Sequence, residues 1–227
     1  MNYKIITDEQ ALKAFIDWLP ACNEHEQYYL CLLARTKYLE GDHGLKADKQ
    51  QLKRFTSKKE NMLEKIRQLE CAAGAYTQGG IIIPQEALAL YISINPRDLW
   101  KATYTSLVTF AQNIQAEARV KNPHQEVMSA IQQSCSNKYY IDIDVDAKDP
   151  AILQQIREYI NPSCLTVMET RGGYHVLVEL AAVDPAFKKS WYPNIMKLPN
   201  VDQSGDNIVP VPGCTQGGFT PKFLSET

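Results

Sequence analysis

Residues 140–146 read Tyr140-Ile141-Asp142-Ile143-Asp144-Val145-Asp146, and this acidic stretch decides the fold that the sequence predicts. Side chains alternate between the two faces of a β-strand, so the two isoleucines and the valine share one face and the three aspartates share the other. Aspartate is a poor strand former, and carboxylates gathered on one face repel one another. Divalent cations such as Mg²⁺ or Mn²⁺ between the acids would relieve that repulsion. The alternative is a solvent-facing edge strand that carries acidic side chains.

A glycine pair follows in Glu169-Thr170-Arg171-Gly172-Gly173-Tyr174-His175, and the pattern around it predicts two strands joined by a turn. Paired glycines let a backbone approach a ligand closely, and their amides can bind phosphate. Arg171 is a candidate for paired hydrogen bonds to phosphate, and His175 can reach a triphosphate oxygen. The ordinary interpretations are a hairpin turn and a buried core histidine.

A third acidic position comes after a short apolar step, in Leu198-Pro199-Asn200-Val201-Asp202. Asp202 could complete a metal site with the acids of the first stretch, and Asp206 is the alternative for the same role. Taken singly, both aspartates are typical of turns and helix caps.

The order of these motifs resembles the three-motif pattern of archaeo-eukaryotic primases and primase-polymerases. In that pattern an alternating Asp-x-Asp strand precedes a Gly-rich turn with a histidine, and a further aspartate follows an apolar residue. The resemblance covers roughly residues 88–219, including an upstream strand at 91–97 and a Pro-Gly-Cys-Thr stretch at 212–215. It departs from the family at Thr170-Arg171, where many relatives have serine and glycine, and at Cys214, which interrupts Pro-Gly-Thr.

The resemblance implies an α+β protein whose primase-type α/β core has a palm sheet like that of the RNA-recognition motif. It implies two Mg²⁺ or Mn²⁺ ions held by Asp142, Asp144 and Asp202, which would be the catalytic acids. The implied nucleotide-binding residues are His175, Arg171, Gly172, Gly173, Thr170 and Arg97, with Lys222 as a further candidate for nucleotide or template contact.

The implied reaction joins a nucleoside triphosphate to a nucleic-acid 3′-hydroxyl, or to another nucleotide when a primer is started. The implied partners are a single-stranded template, nucleoside triphosphates and a separate helicase or replication initiator. Two other functions use the same residues: a metal-dependent phosphodiesterase or nuclease, and a binding module without catalytic activity.

The first 75 residues are expected to form a helical N-terminal region beside a catalytic core at 76–227. Asp8 can cap a helix through ALKAFIDWL (11–19), and a second helix is expected over EQYYLCLLARTKYL (26–39). In the core, Asp149 is expected to begin a helix over DPAILQQIREYI (149–160), with Pro150 at its first position. The lysine-rich segment 46–71 is either a solvated helix face or a contact with template phosphates.

Composition narrows the class of protein. The 227 residues carry a formal net charge of −2, which does not exclude nucleic acid because phosphate binding needs only a local basic patch. The six cysteines have no Cys-x-x-Cys spacing and are expected to be free thiols, although zinc held by distant residues stays an alternative. We find no secretory pattern at the N-terminus and no apolar run of transmembrane length, so we expect a cytoplasmic protein with no membrane partner.

Overall fold

The computed structural model describes residues 1–41, 44–45, 48–120, 122–135, 137–203 and 208–224. These residues form a mixed α+β fold in which the strands pair antiparallel, as the sequence predicted at this coarse level. The helices are α1 (Glu9–Trp18), α2 (Lys59–Arg67), α3 (Leu99–Gln115), α4 (Pro123–Gln133), α5 (Pro150–Tyr159) and α6 (Trp191–Ile195). The strands are β1 (Glu26–Ala34), β2 (Gln50–Ser57), β3 (Thr77–Gln78), β4 (Ile81–Ile82), β5 (Leu88–Ser93), β6 (Arg97–Asp98), β7 (Tyr140–Val145), β8 (Leu165–Glu169), β9 (Tyr174–Glu179), β10 (Val201–Gln203), β11 (Ile208–Pro210) and β12 (Lys222–Phe223).

The acidic strand β7 lies inside a sheet with the strand order β10-β7-β9-β8-β12. It is therefore not an edge strand, and the alternative interpretation, a solvent-facing edge strand that carries acidic side chains, is wrong. Ile143 and Val145 project toward α5 and α6 and join a buried cluster with Ile156 and Trp191. The opposite face of the sheet carries the aspartates, as the alternation along the strand predicted.

A second sheet, with the order β11-β5-β1-β2, packs against that opposite face, and β6 extends it by pairing with the start of β1. One apolar cluster joins the two sheets, because Leu177 of the acidic sheet is buried together with Leu30 and Leu90. Helices α1 and α2 cover the same cluster with Phe15 and Met62. The face that carries the aspartates is thus apolar at one end, where the sheets meet.

The expectation that residues 1–75 are mostly helical is wrong. Residues 26–34 form β1 and not a helix, and residues 50–57 form β2. Strand β1 is buried on both faces, with β2 and β5 as neighbours, so its apolar residues run continuously and show no alternation. A short apolar run of this kind has the same periodicity whether it is a buried strand or a buried helix. The division of the chain at residue 75 stays a prediction.

Local signals at helix starts were predicted correctly. The Asp8 carboxylate accepts a hydrogen bond from the Ala11 amide at 3.0 Å and begins α1. Asp149 caps α5 in the same way, and Pro150 occupies the first helical position, where a missing amide costs nothing. Among the described residues, no helix has the length and apolar character that crossing a membrane requires.

The shared core gives a direct test of this packing. Ile92 of β5 is fully buried and Ile82 of β4 is 60% exposed. Ile92→Ala should lower the free energy of unfolding by about 2–5 kcal/mol, because it leaves a cavity, whereas Ile82→Ala should cost less than about 1 kcal/mol. Urea denaturation of both variants measures the difference. Equal losses for the two would contradict the placement of β5 in the core.

Candidate functional site

A row of polar side chains crosses the acidic sheet. In the strand register Asp202 of β10 lies opposite Asp144 of β7, and Asp144 lies opposite His175 of β9. Residues paired in this way share a face of the sheet, with Cβ atoms about 4.5–5.5 Å apart. The structure therefore brings together the second and third predicted acids and the predicted histidine. Asp206, the alternative third acid, lies outside the described residues.

His175 is held by the first predicted acid. Its Nδ1–H donates to both carboxylate oxygens of Asp142, at 2.9 and 3.1 Å, while its Nε2 lies 3.9 Å from Asp144 Oδ1. Asp142 is only 3% exposed, so water contributes little to stabilising its charge. The histidine is thus a bridge between two carboxylates, with its second nitrogen on the side of Asp144.

Burial and charge act in opposite directions on these groups. Burial alone would lower the pKa of His175, but the charge and hydrogen bond of Asp142, helped by Asp144 and Asp146, raise it to about 9. The pKa of Asp144 is raised, first by burial and then by the carboxylates of Asp142, Asp146 and Asp202, against the opposing effect of His175. The cluster holds four carboxylates and one imidazolium, and this excess of negative charge favours a bound cation.

A cavity of about 450 Å³ opens beside this row and is lined by residues of both sheets. Asp144, Asp146 and His175 lie on one wall, next to the turn that joins β8 and β9. The wall contributed by the second sheet and its loops is basic and aromatic, with Arg35, Lys37, Tyr38, Lys49 and Tyr91. Acidic groups therefore face basic groups across a space of the size that binds small molecules.

The basic wall was missed by the sequence analysis, because residues 26–39 were expected to form a helix. Arg35 directly follows β1, and its side chain is fixed by hydrogen bonds from Nε to Asp48 and from Nη1 to the Tyr91 hydroxyl, the latter at 2.6 Å. Its guanidinium lies 5.4 Å from the Tyr38 ring centroid. The sequence did carry one signal for this wall, a cationic residue directly after a long apolar run. Such a residue lies where a buried strand ends and its side chain can reach a cavity.

The turn that joins β8 and β9 contributes Thr170, Arg171, Gly172 and Gly173 to the cavity lining. The Thr170 amide donates to the Gly173 carbonyl at 2.9 Å, which closes the turn. The Arg171 amide donates to the Gln216 side chain at 2.8 Å, and its guanidinium donates to the Gly217 carbonyl and lies 4.8 Å from the Tyr38 ring. Arg171 is thus already positioned by protein contacts at the edge of the cavity.

The two glycines of the turn have different roles. A Cβ at Gly173 would lie 1.9 Å from the Val145 carbonyl oxygen, so the close packing of β7 on the turn requires glycine there. A Cβ at Gly172 would meet no atom within 4 Å. Gly173 is therefore needed for packing, and Gly172 borders open space in the cavity lining.

Four predicted residues do not line the cavity. Asp142 and Asp202 lie in the strands of the polar row beside it, whereas Arg97 and Lys222 lie outside that row. Arg97 is buried in β6, opposite Gln27 of β1, where it is part of the second sheet. Lys222 lies on β12 opposite Glu169, with its amine 3.5 Å from that carboxylate. The expectation that Arg97 contacts the nucleotide is not supported by this position, and Lys222 is directed toward Glu169.

The donor set fits a hard divalent cation in part. Asp144 and Asp202 offer carboxylates on one face, and Asp144 is destabilised as an anion in the absence of a cation. In the described part of the chain there is no group of three or more His, Cys, Asp or Glu side chains that could hold a metal ion without further ligands. Mg²⁺ is usually held by one or two carboxylates together with water and substrate phosphates, so an incomplete protein set suits it.

Comparison of the chain with family models, curated proteins and solved structures gives no match.

The glycine pair provides a matched test of the turn. Gly173→Ala should lower the free energy of unfolding by more than about 3 kcal/mol, because backbone atoms of β7 must move to admit the new methyl group. Gly172→Ala should change it by less than about 1 kcal/mol. Thermal and urea unfolding of the two variants measure this contrast, and a destabilised Gly172→Ala beside an unaffected Gly173→Ala would refute the described turn.

The His175–Asp142 pair predicts a pH-dependent stability in metal-free buffer. The folded pKa of about 9 lies above the unfolded value of about 6.5, so the stabilisation is complete below pH 6.5 and is lost as the pH rises toward 9. Across that window the parent should lose roughly 2–3 kcal/mol more than His175→Gln, which has no titrating group there. Urea denaturation at several pH values in EDTA gives the two profiles. If the free energy of unfolding changed equally with pH in the two proteins, His175 would not be stabilised as a cation by Asp142.

Proposed function

We propose that this chain is a metal-dependent nucleotidyltransferase of the primase-polymerase type. The observation that carries the proposal is the row Asp202–Asp144–His175, which lies beside a cavity whose other wall is basic. The proposed substrates are a nucleoside triphosphate and a nucleic-acid 3′-hydroxyl, or a second nucleotide when a primer is started. A single-stranded template and a separate helicase or replication initiator are the proposed partners.

The distribution of charge supports a triphosphate as the ligand. A triphosphate is a polyanion, and Arg35, Lys37 and Arg171 present cations around one side of the cavity. The acids on the other side would repel it unless cations lay between them. A cavity that is basic on one wall and acidic on the other therefore suits a phosphate chain together with divalent ions better than it suits either alone.

Asp144 and Asp202 are the residues that we propose hold Mg²⁺ or Mn²⁺. When bound, two such ions would activate the attacking hydroxyl and neutralise charge on the leaving pyrophosphate. Asp142 differs from the role that the family resemblance implies, because its two oxygens accept the hydrogen bond of His175. It is 3% exposed and does not line the cavity, so in the described arrangement it positions the histidine.

His175 has the geometry of a hydrogen-bond donor to a phosphate group. With Nδ1 engaged by Asp142, the protonated ring has its Nε2–H left to donate on the side of Asp144. A raised pKa keeps the ring cationic at neutral pH, so it would bind an anionic phosphate oxygen by a charge-assisted hydrogen bond. Arg171 and the amide of Gly172 are placed at the same cavity to assist. Their contribution would be to position the substrate and to stabilise charge that develops in the transition state.

The proposal is tested by incubating the full chain with a primed single-stranded template, labelled nucleoside triphosphates and Mg²⁺ or Mn²⁺. Asp144→Asn keeps the side-chain shape but removes an anionic ligand, so product formation should fall at least about a hundredfold, which corresponds to roughly 3 kcal/mol of transition-state stabilisation. Asp17→Asn, an exposed aspartate of α1, is the matched control and should retain the parent rate. Asp202→Asn should resemble Asp144→Asn.

Three outcomes would contradict the proposal in different ways. Cleavage of the template without release of pyrophosphate would indicate a phosphodiesterase. Tight binding of Mn²⁺ and nucleotide with no product would indicate a binding module. Extension by Asp144→Asn at the parent rate would remove the acidic row from catalysis altogether.

A further inference from the structure

Helix α3 carries an exposed apolar stripe, formed by Trp100, Tyr104, Leu107, Ala111 and Ile114. The four large side chains are 49%, 59%, 59% and 77% exposed in that order, and Ala111 is exposed as well. Val108 widens the stripe on one side and is 56% exposed. Contiguous apolar surface of this kind marks interaction sites in soluble proteins far more often than scattered single side chains do.

The spacing within the α3 stripe is that of a helix–helix seam. Successive members are four, three, four and three residues apart along the sequence. This alternation keeps apolar residues on one line of a helix and is the repeat by which two helices pack knobs into holes. The geometry therefore indicates that the stripe packs against another helix.

The face of α3 that packs on the protein is mixed in polarity. Its residues are Ala102 and Ser106, which are buried, and Leu99, Thr109, Phe110 and Asn113, which are partly buried. Ser106 Oγ donates to the Ala102 carbonyl at 2.9 Å, so its hydroxyl is satisfied within the helix. An ordinary surface helix has its apolar residues turned inward. In α3 five of the seven large apolar side chains are instead exposed, which is the arrangement expected of a helix that a partner covers.

The charge and area of the stripe match a second copy of this chain. Lys101 is the one charged residue among the 17 of α3, so two copies of the helix meet without repulsion between like charges. The exposed side chains amount to roughly 500–600 Å² per copy, close to the contribution of each partner in the smaller stable interfaces, about 600 Å². A two-fold interface also needs a self-complementary patch, and an apolar seam with heptad spacing packs on itself.

We propose that this chain forms a two-fold homodimer in which the α3 stripes of the two copies pack against each other. Leu107 lies at the middle of the stripe and would be near the two-fold axis. A nucleic-acid strand stacked on Trp100 and Tyr104 is less well supported. Phosphates need cations beside the stacking rings, and Lys101, the cation in α3, donates to the Cys135 carbonyl.

The proposal is tested by sedimentation velocity of the full chain from about 1 to 100 µM, with two variants of the same helix. Leu107→Glu places a carboxylate in the seam, and we expect it to raise the dimer dissociation constant by at least about tenfold. Gln112→Glu adds the same charge at an exposed position on the flank of α3 and should leave the dimer unchanged. Thermal unfolding at the lowest concentration serves as the folding control, since Leu107 is exposed in a single copy and its replacement should not unfold the chain.

A parent dimer that Leu107→Glu dissociates and Gln112→Glu preserves is the expected result. A parent that stays monomeric throughout the concentration range would overturn the proposal. A dimer that is insensitive to Leu107→Glu would overturn it also, because the interface would lie elsewhere. Unchanged assembly together with weaker binding of Leu107→Glu to a single-stranded oligonucleotide would assign the stripe to nucleic acid instead. These outcomes are independent of the proposed nucleotidyl transfer, which is measured by product formation.

Discussion

The hydrogen-bonded pair of Asp142 and His175 is the interaction on which the candidate site depends. A strand with aspartates on one face can lie inside a sheet only if their charge is compensated, since burying an isolated carboxylate is costly. Here the imidazolium compensates the charge of Asp142. Asp144 and Asp202 then lie side by side on the same face of the sheet, beside the cavity. The same pairing fixes the orientation of the histidine ring. One contact therefore determines both the charge balance of the sheet and the direction in which the Nε2–H of His175 points.

The second requirement is that both sheets contribute to the cavity. Leu177 of the acidic sheet is buried together with Leu30 and Leu90, on one face of the second sheet, and closes the core there. Tyr91, the next residue of β5, is turned to the other face, where it is buried with Leu33, and it lines the cavity together with Arg35 and the polar row. The cavity therefore lies outside the apolar contact between the sheets. The cations of its basic wall, Arg35, Lys37 and Lys49, come from the part of the chain that precedes the primase-like motifs.

The sequence allowed the acidic strand, the glycine turn, the histidine and the caps at Asp8 and Asp149 to be predicted, because each depends on neighbouring residues. The basic wall was not predictable in that way. Strand β1 is buried on both faces and carries no alternation, so its identity is decided by its partners β2 and β5. For the same reason Arg35 could not be placed near Asp144. The different roles of Gly172 and Gly173 depend on the approach of Val145, which is also a contact between distant parts of the chain.

The most direct test of the central claim is a crystal structure of the chain with Mn²⁺ and a non-hydrolysable nucleoside triphosphate, with data collected at a wavelength where manganese scatters anomalously. The account predicts anomalous density between Asp144 and Asp202, with the phosphate chain directed toward His175 and the basic wall that contains Arg35. Manganese or nucleotide bound elsewhere, with the space between Asp144 and Asp202 free of anomalous density, would contradict it.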